Sequence, residues 1–186
     1  SGQVTCLAIE STGTRFAMGH DNGRIELRRT DDARIVRSWQ HPSGSVAAVS
    51  FSPNRNDLIA AFSDTRVKIL DINSGEIRKE IKLRARCHHL MAQLANNEFA
   101  VSCRDGTITT FSENGDLVDN WAITAMGLPG VFSLGSQNQI VSCGDGHLDF
   151  WDLQGNPTES IDIDPKIVNA FPHPSENVWI CYGTQG

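Results

Sequence analysis

No apolar run in this sequence approaches the roughly 18 residues that a membrane-spanning helix needs. No basic segment leads into an apolar stretch after Ser1-Gly2-Gln3-Val4, so no signal peptide is read there. Ser1-Gly2 is what a cloning scar leaves, and neither Ser1 nor Gly186 is taken as a natural end. Cysteine is scarce and unpaired. Cys6, Cys87, Cys103, Cys143 and Cys181 are an odd set with no C-x-x-C spacing, which gives zinc no closely paired ligands. Each sits in an apolar segment, so all five read as buried free thiols in a reducing, intracellular compartment, cytoplasmic or nuclear. Catalytic signatures are missing as well: no G-x-S-x-G elbow, no H-E-x-x-H, no G-x-x-x-x-G-K-[ST] phosphate loop. The expectation is therefore a protein with no cofactor, no metal and no catalytic residues. Positive charge is in short supply. Sixteen Lys and Arg stand against 22 Asp and Glu, a net charge of −6, which poorly suits broad phosphate-backbone binding.

What is present is sufficient for a core: 186 residues, 39% of them hydrophobic, enough for one domain or slightly more. The strongest signal is self-similarity. Gly19-His20-Asp21-Asn22-Gly23-Arg24-Ile25, Phe62-Ser63-Asp64-Thr65-Arg66-Val67, Cys103-Arg104-Asp105-Gly106-Thr107-Ile108 and Cys143-Gly144-Asp145-Gly146-His147-Leu148 share one pattern. A short apolar run meets an aspartate at a turn, and an alternating run follows. Asp21 to Asp64 is 43 residues, Asp64 to Asp105 is 41, and Asp105 to Asp145 is 40. A period of about 40–45 residues holding several short strands is what a propeller blade gives.

The turns agree. Asp-Asn-Gly at Asp21, and Asp-Gly at Asp105 and Asp145, are tight-hairpin sequences. Asn73-Ser74-Gly75, Glu113-Asn114-Gly115 and Gln154-Gly155-Asn156 mark a later turn in successive units. The nearest helical candidate, 78–91, falls to strands once the repeat register is imposed. The fold expected is all-β: four-stranded antiparallel blades at about 3–41, 44–83, 85–124 and 127–163, with a half blade at 164–186.

On these residues the chain resembles the WD-repeat (WD40) β-propellers. Trp151-Asp152 is a literal WD dipeptide, and the same register holds Leu70-Asp71, Phe111-Ser112 and Arg28-Arg29. Phe51-Ser52-Pro53-Asn54 resembles the usual end of a first strand in such repeats, and Phe171-Pro172-His173-Pro174 is a looser version. The resemblance covers nearly the whole chain. It implies a docking platform within a larger assembly. It also implies a His–Asp–Ser/Thr–Trp network stiffening each blade. The family's Gly-His is not visible as such; His41 lies near its place in the second unit. That network is accordingly expected to be incomplete. Seven blades, the family's commonest ring, would need about 280–300 residues. Four and a half blades make an open arc, completed by other blades or other proteins.

Candidate residues follow from position. The turn aspartates Asp21, Asp64, Asp105 and Asp145 read as structural acceptors of turn amides. Asp162 and Asp164 share a strand face and read as a solvated edge in preference to a calcium site. His88 and His89 point to opposite faces of a strand and cannot share a metal. Partner contacts are placed on rim loops, at Asn22, Thr65, Arg104 and His147, and on loops leading into first strands, at His41, Arg86, Met126 and Lys166. The function expected is a non-catalytic protein–protein interaction scaffold. A ligand-sensing regulatory module of a multidomain protein is the alternative, and a propeller hydrolase is a third reading. The fourth is RNA binding through the basic series Arg24, Arg28, Arg29, Arg34, Arg37, Arg78, Lys79, Lys82, Arg84 and Arg86.

Overall fold

A computed structural model describes residues 2–52, 55–94, 97–122, 133–134, 140–144, 146–164, 167–172 and 179–183. Among these residues every regular element is a β-strand. Blade one is β1 (Val4–Ile9), β2 (Arg15–His20), β3 (Arg24–Arg29) and β4 (Ile35–Gln40). Blade two is β5 (Val46–Phe51), β6 (Asp57–Phe62), β7 (Arg66–Asp71) and β8 (Ile77–Lys82). Blade three is β9 (Cys87–Gln93), β10 (Glu98–Cys103), β11 (Thr107–Ser112) and β12 (Leu117–Ala122). Blade four is β13 (Ser133–Leu134), β14 (Ile140–Gly144), β15 (His147–Trp151) and β16 (Pro157–Asp162). A two-stranded sheet of β17 (Ile167–Pro172) and β18 (Trp179–Gly183) follows. Each blade is an antiparallel meander in chain order, and the blades do not close a ring. The segment 78–91 is divided between β8 and β9, with a loop at 83–86, as the repeat register requires.

The sequence explains which strands lie inside. β6 is Asp-Leu-Ile-Ala-Ala-Phe, buried along its whole length. Such an apolar run suits a strand covered on both faces. Leu58, Ala60 and Phe62 join Ala17, Ile25 and Leu27 in the core shared with blade one. Ile59 and Ala61 point the other way, toward Phe99, Val101 and Phe111 of blade three. A third cluster, with Ala100, Ile108, Ile140 and Trp151, joins blades three and four. The period of two along each strand thus feeds two cores at once. Outer strands β4 and β8 alternate instead, with only every second residue half-buried.

One irregularity recurs. The pairing of third and fourth strands slips between Leu27 and Arg28, Ile69 and Leu70, Thr110 and Phe111, and Phe150 and Trp151. Each slip falls at the first residue of the dipeptide that carries the WD register. A β-bulge there bends the outer strand away from the blade.

Candidate functional site

Two kinds of loop meet at one edge of the blades. The Arg104 N–H donates to Arg86 O at 2.8 Å, and the Ser63 N–H to Ser45 O at 3.0 Å. In blade one the Asp21 N–H donates to Gln3 O at 2.9 Å, and the Gln3 N–H returns a bond to Asp21 Oδ1 at 2.9 Å. In blades one, two and three the turn between second and third strands is so tied to the segment leading into the first strand. The exit from the fourth strand joins them. The His41 N–H donates to Gly23 O at 3.0 Å, Leu83 to Thr65 O at 2.8 Å, and Ile163 to Gly146 O at 2.7 Å. The rim is a fixed backbone frame with side chains projecting from it.

The structure brings Arg86 and Arg104 together on that rim, both exposed. Asn22 is exposed on blade one, and Thr65 is half-buried with φ 89°. His147 is exposed and lies 3.1 Å from Asp162 Oδ1. Met126, Lys166 and Asp145 fall outside the described residues.

His41 corrects the expectation of a surface contact: it is only 2% exposed. It lies in the seam between blades one and two, its ring stacked on Phe62 at 3.9 Å. Its Nε2 is 2.8 Å from Asp64 Oδ2, and Ser43 Oγ donates to the same oxygen at 3.0 Å. Burial pushes the Asp64 carboxyl up, but the hydrogen bonds from His41 and Ser43 outweigh it and hold the group below its ordinary range.

The turn register needs one correction in blade one. Asp64 Oδ1 accepts the Arg66 N–H at 3.3 Å and Asp105 Oδ1 the Thr107 N–H at 3.1 Å. The equivalent acceptor in blade one is Asn22 Oδ1, bonded by the Arg24 N–H at 3.1 Å. Asp21 is one residue early, because three residues separate the strands at each of these turns.

Against known proteins, the family model for the anaphase-promoting complex subunit 4 WD40 domain matches residues 16–93. No curated protein matches the chain. Among solved structures, the β-propeller domain of Myceliophteria thermophila Cps50 (Swd1) superposes with a TM-score of 0.83 at 14% identity. The match covers 98% of this chain and 64% of that one, so the chain spans just under two thirds of that propeller. The chain has the WD-repeat β-propeller fold.

The WD register now has a physical content. Asp71 Oδ1 accepts the N–H groups of Asn73 and Ser74, both at 2.8 Å. Asp152 Oδ1 accepts those of Gln154 at 2.9 Å and Asn156 at 2.8 Å. Ser112 Oγ accepts the Asp116 N–H at 3.1 Å. Arg29 stands in that place in blade one and cannot accept, and Asp32 Oδ1 takes the Arg34 N–H instead, at 3.1 Å. The WD-repeat stiffening network is divided between blades. Blade two carries its His41–Asp64 half, and blade four carries the other half, a buried bond from Trp151 Nε1 to Ser142 Oγ at 2.9 Å. Leu70 occupies the tryptophan's place in blade two.

Most of the basic series is engaged within the WD-repeat scaffold. Arg24 and Arg28 flank the buried Glu26 at 2.9 and 2.7 Å. Arg29 pairs with Asp31, and Arg34 lies 3.4 Å from Asp32. Arg37 reaches blade two and donates to the carbonyls of Ile72, Ser74 and Asn73 at 2.9, 3.1 and 2.5 Å. Arg78 contacts Asp71 and Asp57, and Lys79 contacts Asp116 of blade three. By contrast Arg84, Arg86 and Arg104 are exposed and make no ion pair among the described residues. The partners of Arg37 and Lys79 lie a blade away and are not marked in the local sequence, whereas the pairs of Arg24, Arg28 and Arg29 are local.

Proposed function

We propose that the chain is a non-catalytic protein-interaction platform whose rim on blade three receives an acidic segment of a partner. One observation carries the reading. Arg84, Arg86 and Arg104 project from two loops joined by the Arg104–Arg86 backbone bond, and no carboxylate among the described residues neutralises them. Three exposed cations on a chain of net charge −6 form a local patch that favours carboxylates and steers encounter. The typical role of WD40 propellers as interaction scaffolds supports the same reading. RNA binding through Arg28, Arg29 and Arg37 is disfavoured, since all three are engaged within the protein. The setting proposed is reducing and intracellular, an inference from the unpaired cysteines of the sequence.

The test compares the wild-type chain with the triple variant R84E/R86E/R104E in co-precipitation read by quantitative mass spectrometry. Circular dichroism checks that both fold alike. A discrete set of proteins lost on charge reversal is the expected result. An unchanged set overturns the assignment of this rim. Reproducible turnover of a hydrolase substrate, abolished by a rim carboxylate substitution, overturns the non-catalytic reading.

A further inference from the structure

Blades one and two form a cavity of about 120 Å³ in the seam between them. Its deep wall is Ile25, Phe62 and Leu70, each only 1% exposed. Trp39 and Ile77 form the outer wall, and Ile77 is 51% exposed. An apolar cavity of about 150 Å³ takes a benzene molecule, so this smaller one takes a short branched chain, or a single ring that extends past the exposed Ile77.

Two polar groups lie on the same wall. Lys68 lines the cavity and is 6% exposed. Its Nζ has Glu80 Oε2 at 3.5 Å and the Phe62 ring centroid at 5.7 Å, and forms no hydrogen bond. Glu80 is itself an exposed group to which Arg66 Nη1 donates at 3.0 Å. The ammonium carries three donors, and its one ion pair, with Glu80, leaves them available. His41 Nδ1 is buried without a partner, while Nε2 is held by Asp64. A chamber with an apolar deep wall and a cation beside it that makes no hydrogen bond within the protein is the complement of an apolar body bearing one anionic group.

We infer that this cavity binds a small carboxylate with an aromatic or branched apolar body. The carboxylate meets Lys68 Nζ, taking up the donors Glu80 leaves free, and the body lies against Phe62, Leu70 and Trp39. The inference stands apart from the rim reading. A free organic acid and the C-terminal carboxylate of a peptide ending in phenylalanine present the same chemistry.

Benzoate is the first probe, followed by the indole N–H resonance of Trp39, which Trp39→Phe assigns. Saturable shifts are expected, with a dissociation constant on the order of 1 mM. Benzamide, of the same shape without the charge, binds at least about tenfold more weakly. Lys68→Met removes that preference. Ile77→Trp, at an exposed position of the outer wall, blocks benzoate while leaving the circular dichroism unchanged. A tetrapeptide ending in phenylalanine distinguishes the sources: tighter binding than benzoate assigns a partner's C-terminus, and weaker binding assigns a free acid. Equal binding of benzoate and benzamide overturns the inference, as does a shift that never saturates. If Lys68→Met does not fold, benzoate binding undiminished in Ile77→Trp overturns it.

Discussion

Trp39 donates its indole N–H to the carbonyl of Gly75, 2.8 Å away and one blade further on. The relationship recurs in register. Lys79 and Ile81 of β8 press on Gly115, and Trp121 of β12 lies over Gly155. Each outer strand therefore lays its half-buried side onto the third-to-fourth strand turn of the next blade. The outer strand β16 has no such turn upon it among the described residues and is exposed along its whole length. Adjacent blades are joined twice, by the apolar cores near the middle strands and by this contact at the periphery.

Gly155 tests the outer contact. A Cβ there would stand 2.5 Å from Trp121 Cδ2, and φ is +81°. Both the ring and the backbone oppose a side chain. Gly155→Ala is expected to cost about 2–4 kcal/mol in urea unfolding. Ala33, with φ 56° in the equivalent turn of blade one, is the control: Ala33→Gly should stay within about 1 kcal/mol of wild type. Equal effects at the two positions would show that the Trp121 contact contributes nothing.

Arg37 is the polar part of the first such contact. Its guanidinium serves three successive carbonyls of the blade-two turn. Arg37→Ala is expected to destabilise by about 1–3 kcal/mol, since hydrogen bonds from a charged donor are lost together. Lysine has no planar fork and should recover less than half of that. Full rescue by Arg37→Lys, read from denaturant midpoints, would reduce the role of Arg37 to its charge.

The blades were legible in the sequence because their signals are local. Period-two runs fenced by Asp-Gly and Asn-Gly turns recur every 40 or so residues, and that fixes strands and their order. The WD register was legible for the same reason, as Asp71 and Asp152 cap turns two to four residues on. Partners across the seams were not legible. Nothing near Arg37 names the carbonyls it serves, 35 to 37 residues away. The burial of His41 likewise depends on Phe62 from the next blade. One signal was available and unused: Arg24, Glu26 and Arg28 alternate on β3, so they share a face and neutralise one another there.

Asp71 makes the acid limb of stability predictable. Backbone N–H donation from Ser74, then the Arg78 guanidinium, lowers its carboxyl to about 2. The folded pKa lies below the ordinary value of 3.8, so the folded state binds the proton less readily than the unfolded chain. The stabilisation is fully present above about pH 4 and is lost as pH falls toward about 2. Asp71→Asn keeps an oxygen for the turn amides but has no carboxylate to titrate. Its thermal midpoint should fall less steeply across that window than that of wild type; parallel curves would remove Asp71 from the acid transition.

Asp57 has the opposite sign. It is 1% exposed, and neither carboxylate oxygen has a hydrogen bond, although Arg78 Nε lies at 3.0 Å and Arg55 Nε at 3.5 Å. Burial raises its pKa against the pull of Arg78 and Arg55. The contribution of such a group falls as pH rises through the folded pKa. Asp57→Asn is therefore expected to match or exceed wild-type stability at pH 7, and to lose that advantage below about pH 4. A marked loss of stability at pH 7 would show that the two ion pairs outweigh the burial cost.

Cys87 and Cys103 face each other across β9 and β10, and both are buried. Burial pushes the Cys87 thiol up to about 12 and also raises Cys103. At pH 8 the thiolate fraction of a thiol near 12 is about one in ten thousand, and the thiolate is the nucleophile. Cys6 is only half-buried. Iodoacetamide at pH 8, followed by peptide-resolved mass spectrometry, should modify Cys6 well before Cys87 in the native chain. In denaturant the two should react at comparable rates. Native labelling of Cys87 as fast as Cys6 would mean that the interface between blades two and three opens readily, because Cys87 belongs to the same core cluster as Ile59, Val67 and Phe99.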